Sequence, residues 1–354
     1  MSRGERQRGD APLDPEATAR LGAFLAKAAG GDVAIARLDR LGGGAIQENW
    51  RLDIAVADGP MAGAHALVLR TSRPAPIAYS HSRAQEFALL GAARAAGVTV
   101  PEPLWLCEDP RVIGKPFFVM RRLRGVALGQ KIVRDPAFDG LRDALAERLG
   151  EELARIHAIR PGAPGLEFLP PPERAAAPAA IAGYRAFLDD HAAPHPVLEW
   201  GLRWAERHQP PADQPVLCHR DFRTGNYMVD PESREAGGLS GILDWEFAGW
   251  GAPMADIAWF CAKCWRFGAV EREAGGIAAR TPFYAGYRRV SGRDIDPVEV
   301  HFWEVTAHVR WAVIAIQQAD RHLSGDERSL ELAAIGRRPA EMELEILRLT
   351  ELLS

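Results

Sequence analysis

PVLCHRDFRTGNYMVD, residues 215–230, and GILDWEFAGWGAPMADIAWF, residues 241–260, decide the reading of this chain. The first holds His219-x-Asp221, with Asn226 five residues after the aspartate. An apolar run precedes the loop and another, Tyr227–Val229, follows it, so the polar residues sit between two short strands. Such a loop projects Asp221 and Asn226 together. In the second stretch Asp244 lies 23 residues after Asp221, across a turn at Pro231–Gly238. A hairpin of that length returns Asp244 beside Asn226. An Asp–Asn pair alone is ordinary turn chemistry. Two such segments, in this order and spacing, carry more.

Phosphoryl transfer needs few protein parts: a carboxylate to orient the attacking hydroxyl, and oxygen ligands for Mg²⁺. Asp221 and Asn226 supply one of each, and Asp244 adds the second metal ligand.

Working outward, the 354 residues are 47% hydrophobic, enough for a core and for two lobes. Asp14 caps a first helix that begins at Pro15 and ends at Gly30. Strands follow at Val33–Leu41, Trp50–Val56 and His65–Thr71, an antiparallel meander by its spacing. A helix near Ser82–Ala96 turns Phe87, Leu90 and Ala93 inward, and strands near Leu104–Cys107 and Pro116–Leu123 complete a small sheet. Residues 139–160 form a long amphipathic helix, a Pro-rich loop spans Arg160–Pro172, and the rest is mainly helical. Asp296-Pro297 opens one helix and a last pair covers about Glu327–Leu353. The expected fold class is α+β, with a β-rich lobe at 1–123 and a larger helical lobe at 124–354.

The net charge is −4, divided as +3 over residues 1–123 and −7 over 124–354. A basic front half suits phosphates and an acidic back half tolerates cations, although unselected surface charge reads equally well. Nucleic acid is disfavoured as the main partner. No run approaches the ~18 apolar residues a membrane span needs, and MSRGERQRGDAP lacks the apolar core of a signal peptide. A reduced, cytoplasmic protein is expected, with Cys261-x-x-Cys264 read as part of a buried helix.

The order H-x-D-x-x-x-x-N, hairpin, then D-W-E resembles the aminoglycoside phosphotransferase and choline kinase superfamily, relatives of the protein kinases. The likeness extends over most of the chain. LARIHAI (153–159) looks like the helix before the catalytic loop, and GAPMADIA carries a structural aspartate, here Asp256. The nearest likeness is to bacterial phosphotransferase-family proteins related to the kinase-like domain of certain acyl-CoA dehydrogenases. The resemblance implies a two-lobed kinase-like fold and Mg²⁺-assisted transfer from ATP or GTP to a small-molecule hydroxyl. Asp221 takes the catalytic position, with His219 bracing the loop. Asn226 and Asp244 take the metal positions. Arg223 stands where protein kinases keep a lysine near the γ-phosphate.

In the small lobe LVLRT ends a strand in Arg70, and Glu86 follows sixteen residues later. Kinases use a Lys–Glu pair there to hold the α- and β-phosphates; here an arginine, which grips phosphate bidentately, takes the place of the lysine. LGGGAIQENW resembles the nucleotide-covering hairpin, with Gly43 and Gly44 letting backbone N–H groups approach phosphate. The backbone near Met120–Arg122 corresponds to the adenine-binding linker. His219-Arg220-Asp221 has the protein-kinase form, but Asp244 is followed by Trp-Glu and no activation segment is evident, which argues against a protein kinase. The DWEFAG run resembles one in choline kinases, which implies Trp245, Glu246 and Trp250 as an acceptor site and keeps a choline- or ethanolamine-type kinase open. A non-catalytic nucleotide-binding protein of the same fold is the other alternative.

Overall fold

The computed structural model describes residues 13–41, 47–72, 80–212 and 214–351. Gly43 and Gly44 lie outside them. The chain divides into two compact units. One runs to Ala95 and adds Thr99–Arg124 and Trp245–Phe247; the other holds Ala96–Val98, Gly125–Asp244 and the chain from Ala248.

The first unit opens with α1 (Pro15–Ala29). The Asp14 carboxylate accepts the Ala17 N–H at 2.7 Å, and Gly30 ends the helix at φ +72°. Five strands follow: β1 (Val33–Leu41), β2 (Gln47–Val56), β3 (Gly63–Ser72), β4 (Pro103–Cys107) and β5 (Phe117–Arg121). They form one antiparallel sheet in the order β1-β2-β3-β5-β4. Alternate residues such as Leu52, Ile54, Leu67 and Leu69 turn to the core, where Leu21 and Leu25 of α1 meet them. Between β3 and β4 runs α2 (Arg83–Ala95). Its buried face holds Leu90 and Ala93, but also Arg83 and Glu86, while Phe87 is half-buried. A charged pair thus occupies core positions that apolar periodicity assigns to Phe87.

The second unit is mostly helical: α3 (Gly129–Arg134), α4 (Arg142–His157), α5 (Ala176–Asp190) and α6 (Pro196–Arg207). Four short strands come next, β6 (Val216–Cys218), β7 (Tyr227–Val229), β8 (Leu239–Ile242) and β9 (Gly249–Gly251), paired as β6 with β9 and β7 with β8. Then follow α7 (Pro253–Cys261), α8 (Arg280–Ser291), α9 (Pro297–Ser324), α10 (Leu330–Ile335) and α11 (Pro339–Glu351). Asp296 caps α9 through the Val298 N–H at 2.8 Å, and Phe302, Val305, Val309, Ala312 and Ile316 form its buried stripe. The Cys261-x-x-Cys264 segment is no continuous helix. α7 stops at Cys261, Ala262 adopts ψ 140°, and a 3₁₀ turn covers Lys263–Trp265.

α4 and α8 meet backbone to backbone. A Cβ at Gly150 would strike the Phe283 carbonyl, and one at Gly286 the Glu147 carbonyl. Only glycine allows that approach from both sides. Among the described residues no helix is long and apolar enough to cross a membrane.

Candidate active site

In the second unit, residues 219–226 join β6 to β7. The partner strands β9 and β8 fix both ends, with Cys218 opposite Gly249 and Tyr227 opposite Ile242. Beyond β8 the Leu243 N–H donates to the Asn226 carbonyl at 2.8 Å. This bond sets Asp244 directly after the residue paired with Asn226. Arg220 and Asp244 both adopt left-handed backbone, at φ +64° and +60°. For non-glycine residues this costs about 1–3 kcal/mol each and persists only where the surroundings over-determine it.

At Arg220 the surroundings do so through Asp256 on α7. Its Oδ2 accepts the His219 N–H at 2.6 Å and its Oδ1 accepts the Arg220 N–H at 2.8 Å. Burial pushes the Asp256 carboxyl up. The His157 hydrogen bond, the two imidazoles and the His219 N–H facing it outweigh that and hold it below the usual carboxylate value. His157, at the end of α4, is buried, and burial lowers its pKa. It is neutral, donating from Nε2 to Asp256 at 3.3 Å and accepting at Nδ1 from the Tyr287 hydroxyl at 3.0 Å. The Cys218 thiol lies near these two side chains, the three ligand-type atoms being within 4.8 Å of one another. Burial pushes the thiol well up, and its Sγ donates to the Ala252 carbonyl.

His219 is fully buried. Its Nδ1 accepts the Asp221 N–H at 3.3 Å, so the proton sits on Nε2, which donates to the Leu243 carbonyl at 2.9 Å. The imidazole therefore ties the loop carrying Asp221 to the segment carrying Asp244. The Asp221 carboxylate has three donors. Trp259 Nε1 at 3.0 Å and Arg223 Nε at 3.2 Å reach Oδ1, and Asn226 Nδ2 reaches Oδ2. Arg223 also lies 4.5 Å from the centre of the Trp265 ring.

In the first unit Arg70 and Glu86 form a two-pronged ion pair, at 3.1 Å from Nε and 2.8 Å from Nη2, both side chains at most 6% exposed. Arg83 adds a second guanidinium to the same carboxylate, and Asn49 accepts from Arg70 at 3.4 Å. Met120 sits in β5 opposite Val68, and the Arg122 guanidinium is held by Asp53 at 2.6 Å. The Arg121 and Arg122 N–H groups donate to the Glu102 and Ala66 carbonyls.

Trp245 is fully buried and Glu246 nearly so, its carbonyl accepting the His81 N–H at 2.9 Å. Trp250 is buried, with its indole N–H on the Leu169 carbonyl at 2.9 Å. Sequence reasoning passed over His157, whose sole local signal is LARIHAI, and Arg310, whose guanidinium stacks 4.3 Å from the Trp259 ring centre. Trp259 is buried in α7, where periodicity reports the buried face and says nothing of the indole N–H that meets Asp221.

Residues 37–292 match the profile of the Phosphotransferase enzyme family. Mouse acyl-CoA dehydrogenase family member 10 is 31% identical over 186 residues, 51% of this chain and 17% of that protein. The chain therefore spans only a minor part of that relative. A solved Ralstonia eutropha protein classed among aminoglycoside phosphotransferases superposes with TM-score 0.74 at 22% identity, covering 94% of this chain and 98% of that one. The GDP and kanamycin complex of APH(2″)-IIIa superposes at 0.60 and 16% identity, covering 91% and 98%. These two likenesses are of fold. The family profile covers well over half of the chain, and the chain belongs to the Phosphotransferase enzyme family.

Proposed function

We propose that this protein is a small-molecule kinase that moves the γ-phosphoryl group of ATP or GTP onto an acceptor hydroxyl. The observation that supports the reading is the Asn226 hydrogen bond to Asp221 together with the Leu243 N–H bond to the Asn226 carbonyl, which brings the backbone just before Asp244 to Asn226. His219 ties the same two segments together. In this reading the first unit holds the nucleotide and the second carries the catalytic loop.

A carboxylate offers about four lone-pair sites. Three on Asp221 are taken among the described residues, which leaves one on Oδ2 for an acceptor O–H. Asp221 orients that hydroxyl and takes its proton as the oxygen bonds to phosphorus and the nucleoside diphosphate leaves. The indole and guanidinium donors hold the carboxylate in place for this task. Arg70, fixed by Glu86, contributes its guanidinium charge to holding the phosphates.

The donors fit Mg²⁺. Asn226 commits Nδ2 to Asp221, and its Oδ1 accepts no hydrogen bond among the described residues. An amide oxygen and the Asp244 carboxylate are the hard ligands this ion prefers. When bound, the ion neutralises phosphate charge.

Two measurements test the reading. Mg²⁺ with ATP or GTP should raise the melting temperature more than the nucleotide alone; ligand at about 100 times its Kd adds roughly 2.7 kcal/mol. Asp221→Asn should keep that shift and lose turnover by about 10²–10⁴-fold. A variant that turns over normally sinks the Asp221 assignment. Nucleotide binding without turnover by the native protein would favour the non-catalytic alternative.

A further inference from the structure

A cavity of about 1130 Å³ lies wholly within the second unit, walled by α5, α9, the start of the catalytic loop and the segment after β9. Four arginines line it: Arg160, Arg174, Arg220 and Arg310. They come from four distant stretches of chain. None has a carboxylate within ion-pair distance among the described residues, whereas Arg142, Arg185, Arg280 and Arg289 in the same unit all do. Arg220 spends one donor on the Trp250 carbonyl, and Arg310 lies over Trp259. Arg160 and Arg174 are exposed. The wall contains two acids. Asp256 is already committed to two backbone N–H groups and His157, which leaves Glu173 against four guanidinium groups. Tyr184 and Trp250 supply apolar surface between them.

Four uncompensated guanidinium groups facing one hollow repel each other, and an anion relieves that repulsion. Their forked donors match carboxylate and phosphate oxygens. The cavity also adjoins the candidate chemistry: Arg310 stacks on Trp259, whose N–H holds Asp221, and Arg220 is the neighbour of Asp221 in the chain. We propose that the acceptor of this kinase carries an oxyanion, carboxylate or phosphate, which these arginines seat in the cavity while its hydroxyl reaches Asp221. This rests on the phosphotransferase reading above. It differs from the cation-binding site expected from DWEFAG: Trp245 is fully buried, whereas Trp250 lines this cavity beside the arginines.

The test uses four probes on one six-carbon frame: glucose, glucosamine, glucuronate and glucose 6-phosphate. Binding is read by calorimetry at matched ionic strength, with saturating MgADP filling the nucleotide site. Glucuronate or glucose 6-phosphate should bind at least about tenfold tighter than glucose, and glucosamine weakest, a hydrogen-bonded charge being worth about one to two decades. Which of the two anions binds tighter identifies the group. The exposed pair Arg160→Gln/Arg174→Gln should erase the preference without changing the melting temperature, and Arg310→Gln should weaken anion binding about tenfold or more. Equal binding of all four probes, no binding of either anion at 10 mM, or an anion preference that survives the arginine variants overturns the proposal. MgADP binding is read beforehand, in its own titration. If it persists while the anion preference is absent, the kinase reading stands and this inference falls; if MgADP fails to bind while the preference holds, the kinase reading falls and the cavity is an anion site with no acceptor role.

Discussion

Replacing Asp256 by asparagine tests whether this buried carboxylate is the collar of the catalytic loop. Its two oxygens each accept a backbone N–H, from His219 at 2.6 Å and Arg220 at 2.8 Å, and His157 adds a third donor. The carboxamide keeps one accepting oxygen and turns an NH₂ toward the other N–H. One charge-assisted bond is lost, worth about 1.5–3 kcal/mol, and a buried donor is left facing a donor, at about 1–3 kcal/mol. The sum is about 2.5–6 kcal/mol, which brackets the roughly 3–5 kcal/mol measured for breaking buried charge pairs. Arg220 then loses the contact that holds its left-handed backbone, and Asp221, the next residue, moves with it. The assay is urea unfolding at pH 7.5, with stability taken from the midpoint at constant m. Turnover should fall alongside, because a displaced carboxylate no longer aligns a hydroxyl. A loss of less than about 1 kcal/mol would mean that the two N–H groups find other acceptors and that the collar argument is wrong.

Stability should also depend on pH. Burial depresses the pKa of His157 and His308 below their ordinary 6.5, so the folded chain keeps both neutral while the unfolded chain takes up protons. The melting temperature should hold level from pH 8 to 6.5 and drop as the pH falls below 6.5; a level profile down to pH 5.5 refutes this. Glycine substitutions should split by location. Gly286→Ala drives a methyl into the Glu147 carbonyl and should lower stability by about 3 kcal/mol. Gly183→Ala in α5, with nothing within 4 Å of the added carbon, should raise it by about 0.5–1 kcal/mol. Like-signed shifts in melting temperature would contradict this.

What could be read from the chain follows the reach of local geometry. Strand alternation, the caps at Asp14 and Asp296, and the hairpin joining Asn226 to Asp244 all depend on residues near each other in sequence. The structure shows these elements near the expected positions. Arg70 and Glu86 were legible as partners for a similar reason, since a strand and the helix after it bring them together. The left-handed turns at Arg220 and Asp244 were not, because neither residue is the glycine that would announce one. The four cavity arginines sit at 160, 174, 220 and 310, a grouping no period or spacing encodes. Of Trp245, Glu246 and Trp250, which adjacency in sequence suggested as one acceptor site, Trp245 and Glu246 are buried and Trp250 lines the arginine cavity, a division that no spacing announces.

The glycine seam between α4 and α8 has a consequence for how the second unit opens. Carbonyls lie against the opposing backbone at Gly150 and Gly286, so neither helix can fray or slide without the other. Amide deuterium exchange along this seam should proceed only through the largest opening of the unit, while α5, with just Ala177 and Ile181 buried, exchanges through small local ones. His157 rides on one side of the seam and Tyr287 on the other. The bracket that grips Asp256 therefore belongs to the last part of the unit to come apart. Under gentle denaturation the α5 wall of the arginine cavity should loosen first and the hold on the catalytic loop last.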